Sequence, residues 1–289
     1  MPRRPEEMDA SDKERSGQER CDKERSGQEK ILSVALTGTP GTGKTTVSRL
    51  LEKRGHHVLF LTEFIKENNI SSERDEERDC LVVDMDALED AVSDHIRSLE
   101  KSIPAGNGNE GKACQEQTVS EKDSVLIIES HMAHYLCDHA IVFRTHPSVL
   151  EKRLSERGYS PEKVRENAMA EALDIILCEA YDWCGSVLEV DNTERDPEDS
   201  ADAVEEILSA LLRLREKGLL PETSPADGAD DCESAGRDGG NVVSVPDEGA
   251  EIYTDDNDAC ASGHETILEK DETLRKYLPG SIDWSSLAD

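Results

Sequence analysis

Aromatic side chains make up 3% of this 289-residue chain, and its 33 Lys and Arg are outnumbered by 65 Asp and Glu. Proteins that coat a phosphate backbone depend on Lys and Arg to displace counterions. A formal charge of −32 therefore excludes a groove-lining nucleic-acid binder and leaves little direct nucleic-acid contact to expect. No apolar run approaches the ~20 residues that span a bilayer, and residues 1–30 are charged throughout with no apolar signal segment. A cytoplasmic protein with no membrane partner is the expectation. The eight cysteines include no Cys-x-x-Cys pair, which argues for free thiols and against a zinc site.

What is present divides the chain. Apolar residues reach 35%, enough for one modest core, and charge is unevenly spread. Residues 1–30 carry 8 basic and 9 acidic groups, 31–220 carry 21 and 38, and 221–289 carry 4 and 18. Two readings fit so acidic a surface: solubility at high salt, or a general bias to disorder. Residues 12–19 and 22–29 repeat Asp-Lys-Glu-Arg-Ser-Gly-Gln-Glu without one apolar side chain to bury, so 1–30 reads as a disordered charged leader. Residues 102–122 read as a surface insertion, 221–265 as an acidic disordered linker, and 266–289 as a short apolar motif in which Tyr277, Leu278, Ile282, Trp284 and Leu287 cluster. That cluster either folds back on the main domain or serves as an aromatic docking motif.

From residue 31, short apolar runs alternate with amphipathic stretches, the texture of βαβ units. Strands are expected at 31–36, 58–61, 125–128, 140–143 and 187–190, and helices at about 44–54, 86–101, 147–157, 161–182 and 198–217. Runs this short and uniformly apolar suit buried parallel strands, so the expected fold is an α/β five-stranded parallel sheet flanked by helices.

The chemistry concentrates after the first strand. Gly38-Thr39-Pro40-Gly41-Thr42-Gly43-Lys44-Thr45 matches G-x-x-x-x-G-K-[ST] in full, with a helical pattern from Thr46 onward. Its glycines let successive N–H groups turn toward phosphate oxygens, and the helix start adds its dipole. Lys44 is expected to meet the β- and γ-phosphates and Thr45 to ligate Mg²⁺; because Lys44 is expected to pack against little, its loss should spare the fold. The third strand runs into Glu129-Ser130-His131, making Glu129 the candidate to order metal-bound water and His131 a candidate at the sheet's carboxyl edge. Otherwise His131 is a surface or core histidine. Arg144 closes the fourth strand, and Arg153 and Arg157 precede Gly158-Tyr159-Ser160-Pro161, a helix stop and restart of the kind a closing lid uses. An arginine delivered by a lid can neutralise a phosphoryl group in flight; the plainer alternative is a surface ion pair.

Together with Asp75-Glu76-Glu77-Arg78-Asp79-Cys80, Asp84, Asp86, Arg144-Thr145, Asn167 and Glu171, these motifs make residues 31–215 resemble the adenylate kinase isoenzyme 6 type family of archaea and eukaryotic nuclei. The resemblance implies a P-loop NTPase of the nucleoside monophosphate kinase type that converts ATP and AMP to two ADP with Mg²⁺. It places ATP contacts on Gly41, Gly43, Lys44, Thr45, Thr46 and Arg157, catalysis on Lys44, Arg157 and His131, the metal on Thr45 and Glu129, the monophosphate segment at about 60–83 and the lid at about 156–166. Glu129 stands where the family commonly has Asp, and Lys66 where relatives have an arginine. The resemblance also implies ATPase activity and a part in small ribosomal subunit maturation and rRNA processing, with a basic ribosomal protein as partner, which the negative charge suits. The alternatives are an assembly factor whose kinase activity is incidental, and a kinase for another small metabolite.

Overall fold

The computed structural model describes residues 31–75, 80–102, 121–220, 265–280, 282 and 284. The expectations for 1–30, for 103–120 within the insertion and for most of 221–265 lie outside the described residues.

Five strands form one parallel sheet: β1 (Leu32–Thr37), β2 (His57–Phe60), β5 (Val125–Glu129), β6 (His139–Arg144) and β7 (Ser186–Asp191), in the order β2-β5-β1-β6-β7. The strand carrying the glycine-rich loop is therefore central. Its register sets Leu36 beside Glu129 and Thr37 beside Val142, so the carboxyl ends of β1, β5 and β6 arrive at one edge. Side chains alternate between two cores. Val34 and Leu36 join Phe143, Val204, Ile207 and Leu211 on one face, whereas Ala35 joins Leu61, Leu88, Ile128 and Ala180 on the other. This is why the strands lack polar alternation: both faces are covered.

On the first face lie α1 (Lys44–Lys53) and α7 (Pro197–Glu216). On the second lie α2 (Leu61–Glu67), α3 (Met85–Ser102) and α6 (Ile175–Trp183). Two further helices, α4 (Pro147–Glu156) and α5 (Pro161–Ala172), stand beside the carboxyl edge. Three helix starts use a capping side chain followed by proline: His146-Pro147, Ser160-Pro161 and Asp196-Pro197. Proline is suited there because the first helical N–H has no partner to lose.

Three features differ from the sequence expectation. The helix expected over 161–182 is two helices, broken at Asp174, which adopts a left-handed φ of 56°. The strand expected at 58–61 ends at Phe60, and α2 starts at once, too short a helix to show a clear period. An antiparallel hairpin, β3 (Ser71–Asp75) with β4 (Cys80–Val83), lies in the 60–83 segment, and the polar sequence of β3 carries no strand pattern. Cys137, Cys178 and Cys184 are free thiols. No helix among the described residues is long and apolar enough to cross a membrane. The core also reaches past the 31–220 boundary, since Leu268, Leu274 and Tyr277 are buried in the first cluster.

Candidate active site

The loop after β1 folds as its glycines require. Gly38, Gly41 and Gly43 have φ of 132°, 98° and 101°, conformations that disfavour a Cβ. Space is closed as well: a Cβ on Gly38 would lie 2.4 Å from the Phe143 carbonyl oxygen, and one on Gly43 would lie 2.4 Å from Asn192 Nδ2. Gly43 begins α1 without a side-chain cap, which leaves the helix start facing the loop.

Lys44 departs from the expectation that it packs against little. It is 6% exposed, and its Nζ donates to the carbonyl oxygens of Gly38 and of Thr39, the latter at 3.0 Å. Burial pushes its ammonium down to about 8, with Glu129 and Glu171 opposing the shift and Arg157 adding to it. Thr45 Oγ1 donates to Glu129 Oε1 at 3.0 Å. Glu129 is itself buried, and burial raises its pKa despite Lys44 and Thr45. Thr46, the next residue of α1, is exposed.

His131 lies just beyond β5, partly exposed as a residue, while its backbone oxygen accepts from Thr37 Oγ1 at 3.2 Å. The protein around its imidazole, then the charge of Lys44, push its pKa down to about 4, so it is neutral at physiological pH. Arg157 ends α4 as an exposed cap residue, near enough to Lys44 and Arg153 to lower both. Gly158 follows at φ 79°, and Tyr159 packs against Leu150, Leu154 and Val164, a small core holding the α4–α5 corner. The loop and that corner touch, because a Cβ on Gly41 would lie 2.7 Å from Leu150 Cδ1.

Arg144, at the end of β6, lies in the interior. It is 1% exposed and binds Glu171 Oε1 at 2.9 Å, Glu189 Oε2 at 2.6 Å and the Asp174 carboxylate. Burial alone would lower its pKa, but the three carboxylates outweigh burial and hold it above the usual arginine value. Glu171 also accepts from Thr39 Oγ1 at 2.5 Å and from the Thr145 backbone N–H at 3.0 Å.

Two contributors had no role in the sequence reading. Glu171 was legible only as part of a resemblance. Asn192 donates from Nδ2 to the Thr42 oxygen at 2.6 Å and accepts from Ser200 Oγ at 2.5 Å, pinning the loop to the start of α7. Its place directly after β7, at the carboxyl edge where α/β ligands sit, was the available signal. Arg153 completes this wall by donating to the Asn192 and Thr193 oxygens at 3.1 and 2.9 Å.

The arrangement suits a polyphosphate: a glycine-rich turn at a helix start, one ammonium held within the loop, and a nearby guanidinium on a helix end. Magnesium fits the donor chemistry, since a hydroxyl and a carboxylate are hard oxygen ligands and this ion commonly takes only one or two from protein.

Residues 34–174 match the model of a family described as an AAA domain. A Methanosarcina mazei protein named "Putative adenylate kinase" is 46% identical over 189 residues, spanning 64% of this chain and 91% of that one. Proteins of the same name from Methanocaldococcus jannaschii and Natronomonas pharaonis are 36% and 39% identical, spanning 66% and 61% of this chain and 93% and 90% of theirs.

Proposed function

Because the chain belongs to the adenylate kinase-like family that these archaeal proteins represent, we propose that it transfers the γ-phosphoryl group of ATP to AMP, giving two ADP. The observation that carries this reading is the meeting of Lys44 and Thr45, at the start of the helix that follows β1, with Glu129 at the carboxyl end of the adjacent strand β5. An oxygen of the AMP phosphate attacks the γ-phosphorus, and the bond to the ADP oxygen breaks. A phosphate nucleophile is already ionised, so no general base is needed. Catalysis then rests on positioning and charge stabilisation. Lys44 exchanges its loop carbonyls for the β- and γ-phosphates, and Arg157 neutralises charge on the moving group. Gly41, Gly43, Thr45 and Thr46 cradle ATP, and neutral His131 contributes a hydrogen bond rather than a charge. Thr45 and Glu129 would hold Mg²⁺, which when bound supplies further charge neutralisation at the phosphates. Residues 60–83 are assigned to the AMP side.

A second reading, an ATP-dependent factor for small ribosomal subunit maturation acting on a basic ribosomal protein, is favoured by the −32 charge. Coupled ADP formation with and without AMP separates the two: AMP-dependent turnover supports the kinase, and AMP-independent turnover supports the factor. A screen of nucleoside monophosphates and small hydroxylated metabolites tests the acceptor. In the same assay Glu129→Gln should raise the Mg²⁺ concentration needed for half-maximal rate, and His131→Ala should lower turnover more than ATP affinity. If neither shifts, both residues lose their assigned roles.

A pH dependence follows from Lys44. Only the protonated ammonium grips phosphate, and in the free site it is lost as pH rises through about 8. ATP affinity should therefore be nearly flat below pH 7 and fall about tenfold between pH 7 and 9, one decade per unit above the pKa. Isothermal titration across that range checks this, and constant affinity would contradict it.

A further inference from the structure

The C-terminal residues have no part in the reading above, yet they connect to the glycine-rich loop. Leu268, Leu274 and Tyr277 are buried beside Val204 and Leu211. Lys276 Nζ and Tyr277 OH both reach Glu206 on α7, at 2.6 and 2.9 Å. At the following turn Gly280, with φ 97°, donates its backbone N–H to Glu189 Oε1 at 2.8 Å. The other Glu189 oxygen accepts from Arg144 Nη1 at 2.6 Å, Arg144 Nε donates to Glu171 Oε1 at 2.9 Å, and Glu171 Oε2 accepts from Thr39 Oγ1 at 2.5 Å. Glu189, Arg144, Glu171 and Thr39 are each at most 2% exposed. A continuous buried polar chain thus joins the C-terminal segment to the phosphate loop. A second contact runs in parallel: the Trp284 ring meets His146 edge-on at 4.8 Å between centroids, and His146 caps the helix that ends at Arg157.

We propose that residues 267–280, together with Trp284, form an intramolecular strap that sets the phosphate loop for ATP, with Glu189 as the positioning residue that relays its docking. The proposal rests on the P-loop binding a nucleotide and is independent of AMP as acceptor. Burial raises the Glu189 pKa, against Arg144 and the Gly280 N–H, so this carboxylate depends on the strap for part of its stabilisation. With the strap docked, each member of the chain has a fixed partner in a low-dielectric interior, where successive hydrogen bonds reinforce one another. When the strap leaves, water reaches Glu189, Arg144 loses a fixed partner, and Glu171 holds Thr39 less rigidly. The loop must then be ordered at ATP's expense, and affinity falls. Linkage requires the converse: ATP must tighten the strap.

The test uses the full chain carrying Trp183→Phe, which leaves Trp284 as the one tryptophan of two. Saturation with a non-hydrolysable ATP analogue should shift Trp284 emission or its access to quencher. Strap release is read in two further variants. Lys276→Met with Tyr277→Phe removes both contacts to Glu206, and Leu274→Asp forces undocking by placing a carboxylate at a fully buried site. Both should expose Trp284 and raise the ATP Kd about fivefold or more while leaving the AMP KM unchanged. A merely structural role would move both nucleotides or neither. An exposed Trp284 with wild-type ATP affinity, a Trp284 signal blind to saturating ATP analogue, or no ATP binding by the unmodified chain would each overturn the proposal. An absence of AMP-dependent turnover would overturn only the kinase reading.

Discussion

Lys44→Ala should reduce phosphoryl transfer by about a thousandfold, because a single preorganised group aimed at developing charge is commonly worth 10²–10³ in rate and this one also holds the ground-state phosphates. The fold should survive, and the nucleotide-free protein should melt at the same temperature or higher. The ammonium is 6% exposed and its pKa is lowered from 10.5 to about 8 by burial, so the charged form is disfavoured in the folded state. A lysine shifted downward opposes folding at pH values below its folded pKa, and the penalty vanishes above its unfolded one. At one pKa unit per 1.36 kcal/mol, relief of up to about 3 kcal/mol is available at neutral pH, offset by the lost bonds to loop carbonyls. Coupled ADP formation and a thermal melt at pH 7 check both halves. Near wild-type turnover would remove Lys44 from the site, and a substantially lower Tm would show that its loop contacts outweigh its desolvation.

Arg144→Met should have the largest effect on stability, a loss of about 3–5 kcal/mol, the range seen when one partner of a buried ion pair is removed. Glu171, Glu189 and Asp174 would face one another without the cation that now joins them. The mechanism predicts a pH signature. Uncompensated buried carboxylates have folded pKa values raised above their unfolded ones, so protonation favours the folded state. The deficit should therefore shrink as pH falls from neutrality toward the unfolded carboxylate value of about 4.3. Adding Glu189→Gln should recover part of the loss at neutral pH by removing one unpaired charge. Urea titrations of the wild type, the single and the double variant at pH 7.5 and 5.5 measure all three expectations. A deficit independent of pH would indicate lost packing volume in place of unpaired charge.

Much of this molecule is local and was legible in the chain. The loop from Gly38 to Thr45 specifies its own backbone, because glycines occur where φ is positive and a lysine and threonine begin the helix behind it. The five parallel strands were legible because short apolar runs have few other uses, and Pro147, Pro161 and Pro197 marked helix starts within a residue or two. Elements with weak or mixed patterns were not. The hairpin Ser71–Asp75 with Cys80–Val83 and the seven-residue helix at Leu61 depend on the neighbours they meet rather than on a period of their own.

Tertiary structure alone decided the partners of charged groups. A sequence shows that Arg144, Glu171, Glu189 and Gly280 exist, but their separations of 27, 45 and 91 residues leave countless pairings open until the sheet order brings β6 beside β7 and the C-terminal segment packs against β7. The same holds for Lys44. Its proposed role follows from motif spacing, whereas its lowered pKa follows from burial in the packed fold, which outweighs the opposing charges of Glu129 and Glu171 brought in from distant parts of the chain. Periodicity and turn chemistry act over a few residues and can be read in one dimension. Electrostatics and desolvation depend on distance in space, which only the packed fold supplies.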